Sequence, residues 1–284
     1  KSLLVMERLL YQRRDEMSTL YISDLDGTLL KSDETTSEYT EKVINHFIEN
    51  GEYFSYATAR SIFTASKVAE GIHTNIPVIV YNGSFLLDAD GKMLLSNFFD
   101  KEIYDVLNDL FMKDIYPIVY TFIDDKEKFS YIPKLCTDGM KRFLDTRKGD
   151  VRINEVKTTE ELKNGSIFYL ACIDTAEKLE PFYLKYKEKY HCVYQRDFYT
   201  NDPWLEILPL EASKSNAIKQ LQNYLKCDEL IVFGNGKNDL DMFQIADESY
   251  AVENACDELK KYATGIIDSN DNDGVAKWIE NKKA

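Results

Sequence analysis

The sequence predicts an α/β protein: a doubly wound, Rossmann-like core on a parallel sheet, interrupted by an inserted α+β domain. Three observations carry that expectation. Short apolar runs alternate with segments of helical periodicity from Ser18 to Gly83, and the same alternation returns after Pro209. Between them the rhythm changes to strand-like runs rich in tyrosine and phenylalanine. Finally, the polar residues with the most chemistry stand at the ends of the apolar runs of the two outer stretches, where doubly wound sheets bind ligands.

Taken in order, "TLYIS" is a strand, and "SEYTEKVINHFIENG" is a helix closed by Gly51. "YFSYA" is a second strand, "SIFTASKVAEG" a second helix and "PVIVYNG" a third strand ending in glycine. Strands separated by helices of this length imply right-handed βαβ units and a parallel sheet. "SFLLDADGKMLLS" reads as a hairpin around a D-A-D-G turn. The following stretch mixes the helix "AEKLEPFYLKYKEKY" with strands "SIFYLACI", "CVYQRDF" and "WLEIL". Alternation resumes with helix "KSNAIKQLQNYL", strand "LIVFG", helix "NDLDMFQIA", strand "SYAVE", helix "ACDELKKYA", strand "TGIID" and helix "GVAKWIE". The expected division is a core of 17–83 and 210–284, an inserted domain of 84–209, and an extension of 1–16 with Met17 as the natural start.

The 284 residues are enough for one large or two moderate domains, and 44% apolar with 30% charged residues is the profile of a soluble globular protein. A net charge of −14 argues against nucleic-acid and anionic-lipid partners, while leaving room for a small anionic substrate met by a local cluster of cations. No apolar run approaches the roughly 18 residues of a membrane span. Five cysteines, with no C-x-x-C pair, read as free thiols in a reducing, cytoplasmic compartment. His46, His73 and His191 are scattered, and no metal role is expected of them.

The strand ends gather a distinctive set. The first ends in Asp24 and Asp26, the second in Thr58 and Arg60, the third in Asn82 and Gly83. The strand near residue 232 ends in "GNGKND", which offers Asn235, Asn238 and Asp239, and Lys214 opens the helix before it. Residues i and i+2 of a strand share a side, so Asp24 and Asp26 would put like charges together. That asks for a positive group between them, and the whole inventory suits a divalent cation and a phosphate.

In "DLDGTLL", "ATAR", "SKSNA" and "GNGKNDLDM", in that order, the chain resembles the haloacid dehalogenase superfamily, in its Cof-type, sugar-phosphatase-like branch with a type IIB cap. The tail "AVENACDELKKYA…DGVAKWIE" is also similar to that branch. The resemblance runs from about Met17 to the end. It implies Asp24 as a nucleophile forming an aspartyl-phosphate, and Asp26 as the acid and then the base. It implies Mg²⁺ held by Asp24, the Asp26 carbonyl, Asn235 and Asp239, with Asp239 alternatively orienting Lys214. Thr58, Lys214 and Asn238 match phosphate-binding positions, and Arg60 and Asn82 are further substrate-binding candidates. One departure stands out: the family usually has aspartate where this chain has Asn235, so the amide brings an oxygen but no charge.

The implied activity is a Mg²⁺-dependent phosphatase acting on a small phosphorylated metabolite, a sugar phosphate, by a monomer or weak homo-oligomer. The alternatives are a phosphomutase using the same intermediate and a catalytically weak binding or regulatory homologue. A receiver-type signalling domain is opposed by the large insertion and by Asp26. In capped relatives the insertion supplies the leaving-group pocket, which makes Glu206 and Trp204 candidates, against Trp204 simply packing the insertion's own sheet.

Overall fold

The computed structural model describes residues 18–197 and 200–282, so the expected start at Met17 and the extension before it lie outside the described residues. Among the described residues, contacts divide the chain into two compact units, one up to residue 96 and again from 213, and one over 97–212. In chain order the first unit begins with β1 (Thr19–Ser23), α1 (Glu38–Glu49), β2 (Tyr53–Tyr56), α2 (Ile62–Val68), β3 (Val78–Val80), β4 (Phe85–Leu87) and β5 (Met93–Ser96). The second unit contains α3 (Ile103–Phe111), β6 (Ile118–Ile123), β7 (Lys126–Tyr131), α4 (Asp138–Asp145), β8 (Ile153–Glu155), β9 (Ser166–Ile173), α5 (Ala176–Tyr186), β10 (His191–Arg196) and β11 (Pro203–Leu208). The chain then completes the first unit with α6 (Lys214–Leu225), β12 (Glu229–Gly234), α7 (Leu240–Ile245), β13 (Glu248–Val252), α8 (Asp257–Lys260), β14 (Gly265–Ile267) and α9 (Gly274–Lys282).

The central sheet of the first unit has the order β14-β13-β12-β1-β2, and every pairing in it is parallel. Both faces of such a sheet are covered, so β1 and β12 are near-continuous apolar runs, with Leu20, Ile22, Ile231 and Val232 fully buried. The chain leaves β1 toward β2 on one side, while β12 lies on the other. That makes the carboxyl ends of β1 and β12 the topological switch point. Asp24 follows one of these strands and Asn235 the other.

The expected third parallel strand turns out differently. β3 pairs antiparallel with β4, and β4 with β5, in a separate three-stranded sheet. It meets the central sheet through a single parallel bridge, Ala57 to Ile79. Because that pairing ties the hairpin to β3, the units divide at 96/97 and 212/213, where the sequence places the divisions at 83/84 and 209/210.

The second unit is an α+β body. Its six strands run β10-β11-β9-β6-β7-β8, antiparallel except for β7 with β8. Helices α3 and α5 lay Leu107, Leu110, Leu179 and Phe182 on one face of this sheet, against Val119, Leu170, Leu205 and Ile207. Arg152, almost fully buried, is matched by Glu127 at 2.7 Å and Asp150 at 2.6 Å, as a buried charge requires. Among the described residues no helix is long and apolar enough to cross a membrane. All five cysteines are free thiols.

Gly83 couples the small sheet to the start of α6. Its φ is +96°, and a Cβ there would run into the Ser213 carbonyl oxygen. Gly83→Ala is therefore expected to cost about 1–3 kcal/mol through backbone strain alone, read as a lower midpoint in urea unfolding. A midpoint at or above that of the unsubstituted protein would contradict this account of the close approach.

Candidate active site

Two clusters build the site, each a cation shared by two carboxylates; the first is buried, and the second is half-buried with an exposed glutamate at its edge. In the first, Asp24 directly follows β1 and its N–H donates to the Phe233 carbonyl at 2.9 Å, which fixes it to the sheet. Lys214 is the first residue of α6, whose N-cap Ser213 accepts from the Asn216 N–H at 3.1 Å. Its ammonium donates to Asp24 Oδ1 and to Asp239 Oδ1, both at 2.7 Å. The three residues are 4%, 1% and 0% exposed for Asp24, Lys214 and Asp239, so water screens none of them. Asp239 Oδ2 accepts from the Asn235 and Gly236 N–H groups, each at 2.9 Å. The Asp239 carboxyl lies where a side chain on Gly234 would be, so the residue ending β12 has to be small.

One ammonium shared by two buried anions accounts for the electrostatics. Burial pushes the Asp24 carboxyl up; Lys214 pulls it back, while Asp239 and Asp26 push it further up. Burial also disfavours the charged lysine, but Asp239 and Asp24 outweigh it and hold Lys214 above the ordinary lysine range. The cation has two partners and each anion only half a cation, which is why the pair shifts in the same direction.

In the second cluster the chain turns sharply through Gly27 (φ 70°) just after Asp26. Arg60 Nε donates to both Asp26 oxygens at 3.1 and 2.8 Å, and its Nη2 donates to Asp26 Oδ1 at 2.5 Å and to Glu34 Oε2 at 2.8 Å. Burial disfavours the guanidinium charge, and Asp26 and then Glu34 restore it, so Arg60 stays firmly protonated. The repulsion between Asp24 and Asp26 is thus answered by a separate cation on each. The single positive group expected between them is not what the side chains show, because after Ser23 the backbone leaves the strand and the two carboxylates take different partners.

The remaining candidates line the same strand ends. Thr58 is fully buried; its N–H donates to Ile79 O at 3.0 Å and its hydroxyl accepts from the Arg60 N–H at 3.1 Å. Asn82 sits in the left-handed region (φ 50°), and its Oδ1 accepts from Asn238 Nδ2 at 3.3 Å. Asn235 is half-buried, and its carbonyl accepts from the Cys256 N–H at 2.9 Å. All nine expected site residues therefore lie in the first unit. Glu206 and Trp204 lie on one face of β11 in the second, with Trp204 edge-on to Phe143 at 5.2 Å, packing against the second unit's own helix α4.

Three contributors were not anticipated. Glu34 is the second anion on Arg60. Asn254 donates to the Gly27 carbonyl at 2.8 Å and Asn270 to the Leu30 carbonyl at 3.0 Å, while the Asn270 N–H holds Asn254 Oδ1 at 3.0 Å. These two amides pin the turn that carries Asp26. Asn254 falls inside the "AVENACDELKKYA" tail already singled out, but nothing in its spacing points to Gly27.

Among the described residues no three His, Cys, Asp or Glu side chains gather as a metal-binding group. Both Asp239 oxygens are engaged by Lys214 and by backbone N–H groups, which is a positioning geometry. Asp24 and Asn235 follow the two strands that flank the switch point, and carboxylate and amide oxygens are donors of the kind a hard cation takes. The two clusters also hold four carboxylates against two cations, a surplus of negative charge that a divalent ion would cancel.

A family model described as haloacid dehalogenase-like hydrolase matches residues 21–279. Among curated proteins the chain is similar to the 5-amino-6-(5-phospho-D-ribitylamino)uracil phosphatase YwtE of Bacillus subtilis, 28% identical over 277 residues, covering 90% of this chain and 95% of that one. It is also similar to the enzyme of the same description named YitU from that organism, 26% identical over 268 residues, covering 90% and 94%. Among solved structures, a haloacid dehalogenase-like hydrolase from B. subtilis superposes with a TM-score of 0.77 at 24% identity, covering 92% of this chain and 98% of that one.

Asp239→Asn would leave the buried Lys214 ammonium one anion short and turn an amide toward either a cation or backbone N–H groups. Removing one member of a buried ionic set typically costs about 3–5 kcal/mol, and that loss is expected in urea unfolding of this variant. A loss below about 1 kcal/mol would mean that Asp239 does not hold Lys214 in place.

Proposed function

This chain belongs to the haloacid dehalogenase-like hydrolases, a phosphoric monoester hydrolase like its named relatives, and we propose that it dephosphorylates a small sugar or sugar-alcohol phosphate through an aspartyl-phosphate on Asp24. The observation that carries the reading is the buried Asp24 carboxylate with Oδ1 held at 2.7 Å by Lys214. That bond orients the carboxylate, and Oδ2 keeps only a long 3.5 Å contact from the Thr28 hydroxyl. A nucleophile so fixed loses little freedom at the moment of attack.

In the first half of the reaction an Asp24 oxygen forms a bond to phosphorus while the bond from phosphorus to the leaving oxygen breaks. Asp26, as the carboxylic acid, gives its proton to that oxygen. In the second half Asp26, now a carboxylate, takes a proton from water as the water oxygen bonds to phosphorus. The acyl-phosphate bond breaks, releasing phosphate and restoring Asp24. Lys214, Thr58 and Asn238 are the phosphate-binding groups of this scheme, and Asn82 positions Asn238 through their shared hydrogen bond. Asp24, the Asp26 carbonyl and Asn235 would hold Mg²⁺, which neutralises charge on the transferring phosphoryl group.

The substrate class rests on chemistry and on relatives together. Two relatives act by name on a phosphorylated ribitylamine, a sugar-alcohol phosphate. The five free thiols support a reducing, cytoplasmic setting.

Asp24→Asn is expected to abolish release of phosphate from p-nitrophenyl phosphate, because an amide cannot form the acyl-phosphate. Near-normal turnover by that variant, with unfolding unchanged, would sink the mechanism. EDTA should stop turnover, and added Mg²⁺ should restore it. Because Asn235 supplies no charge, Asn235→Asp should lower the Mg²⁺ concentration needed for half-maximal activity. If it needs as much Mg²⁺ as the unsubstituted protein, Asn235 is not a ligand of the ion.

A further inference from the structure

Arg60 is held from two sides, and only one of them belongs to the reaction described above. Its backbone is pinned by the Thr58 hydroxyl on its N–H and by the Tyr81 N–H on its carbonyl. Its guanidinium fork grips Asp26, and Nη2 also reaches Glu34 Oε2 at 2.8 Å. We propose that Glu34 is a positioning residue for the proton carrier, holding the Arg60 fork in place against Asp26. The proposal rests on the assignment of Asp26 as acid and base.

Asp26 accepts from the Arg60 fork at both oxygens, and a planar fork sets the direction of the carboxyl it grips. Nη2 of the same fork donates to Glu34, so the guanidinium is held between two anions from different segments. Without Glu34 the fork loses one of its anchors and gains freedom to swing toward solvent or toward the incoming phosphate, and the Asp26 carboxyl is aimed less well.

The backbone at Glu34 supports the same reading. The residue lies in the left-handed region, φ 65°, in a turn closed by Glu34 N–H to Lys31 O and Lys31 N–H to Thr35 O. The turn is anchored from outside by Asp271, which accepts from the Ser32 N–H and hydroxyl at 2.8 and 2.7 Å. A side chain there costs about 1–2 kcal/mol that glycine avoids. What glutamate brings for that cost is a carboxylate held at Arg60 by an anchored loop. An observed backbone outlier beside a reactive group is the kind of feature from which a functional role is properly argued.

The test separates aiming the proton from general damage. p-Nitrophenolate leaves phosphorus without needing a proton, whereas phenolate, as basic as a tyrosine side chain at about 10, needs one. In saturating Mg²⁺, Glu34→Gln is expected to lower kcat/KM for phenyl phosphate about 10-fold and for p-nitrophenyl phosphate less than about 3-fold. Glu34→Asp, which keeps the anion, should fall by less than Glu34→Gln on phenyl phosphate. Equal losses on both esters, or no loss on either, overturn the role of Glu34. Asp26→Asn, run beside them, should show the same split between esters more strongly. If it shows no split, the acid assignment of Asp26 fails and the role of Glu34 goes with it. If Asp26→Asn shows the split and Glu34→Gln does not, only the role of Glu34 is lost.

Discussion

A lysine ammonium stripped of water needs anions around it, and the geometry of this site follows from how Lys214 meets that need. Its two partners come from different parts of the chain, Asp24 at the end of β1 and Asp239 beyond the end of β12. Neither can move away without leaving a charge unpaired in a low-dielectric interior. Asp239 then spends its second oxygen on the Asn235 and Gly236 N–H groups, so the loop after β12 takes its shape from the same ion. The start of α6 is fixed as well, by the Ser213 cap and by Asp241, which accepts from the Ser215 N–H at 2.9 Å. Strand end, loop and helix start are thus one electrostatic unit.

The second cluster repeats the arrangement with a different cation, and the change matters. A guanidinium offers a planar fork that fixes the direction of the carboxylate it grips, whereas an ammonium acts as a point charge. In the proposed reaction Lys214 sits on the residue that attacks, where charge compensation is the need, and Arg60 on the residue that passes a proton, where orientation is the need. Both cations are shared between carboxylates, so the site is anionic before any phosphate arrives, in a chain whose overall charge is already −14. A phosphate monoester is drawn into such a place only when further positive charge accompanies it, which fits a metal-dependent site.

Much of this was legible in the sequence, for identifiable reasons. A buried parallel strand is a short apolar run, so β1, β2 and β12 announce themselves, and an aspartate at the end of such a run stands out because burial there is costly. Lys214 was legible only through the order of four motifs. Taken alone it is a helix start, and no local spacing reveals a partner at a sequence separation of 190. Glu34, Asn254 and Asn270 escaped for the same reason: their roles are contacts across the chain, and each looks like an ordinary polar residue of a loop. Arg60 beside a threonine has the chemistry of a phosphate ligand, and only side-chain geometry shows it gripping Asp26 and Glu34. The run "PVIVYNG" is a strand, as expected, but an apolar run does not say how its neighbours pair, so neither the antiparallel pairing of β3 with β4 nor the reduction of its parallel contact to one bridge was legible.

The pairing of β1 also governs when the site can come into being. β1 lies close in sequence to β2, but its other neighbour, β12, lies about two hundred residues further along, as the 210-residue separation of Thr19 and Glu229 shows. Every strand of the second unit pairs within that unit. As the chain leaves the ribosome, the second unit can close its sheet while β1 still has one open edge. Such an edge is prone to pairing with the wrong chain. Prior folding of the second unit shortens the loop that must be closed before β12 can dock, which lowers its entropic cost. Lys214 and Asp239 both arrive late, so until then Asp24 has neither its cation nor that cation's second anion. A nascent chain therefore carries Asp24 long before it carries the cluster that holds it.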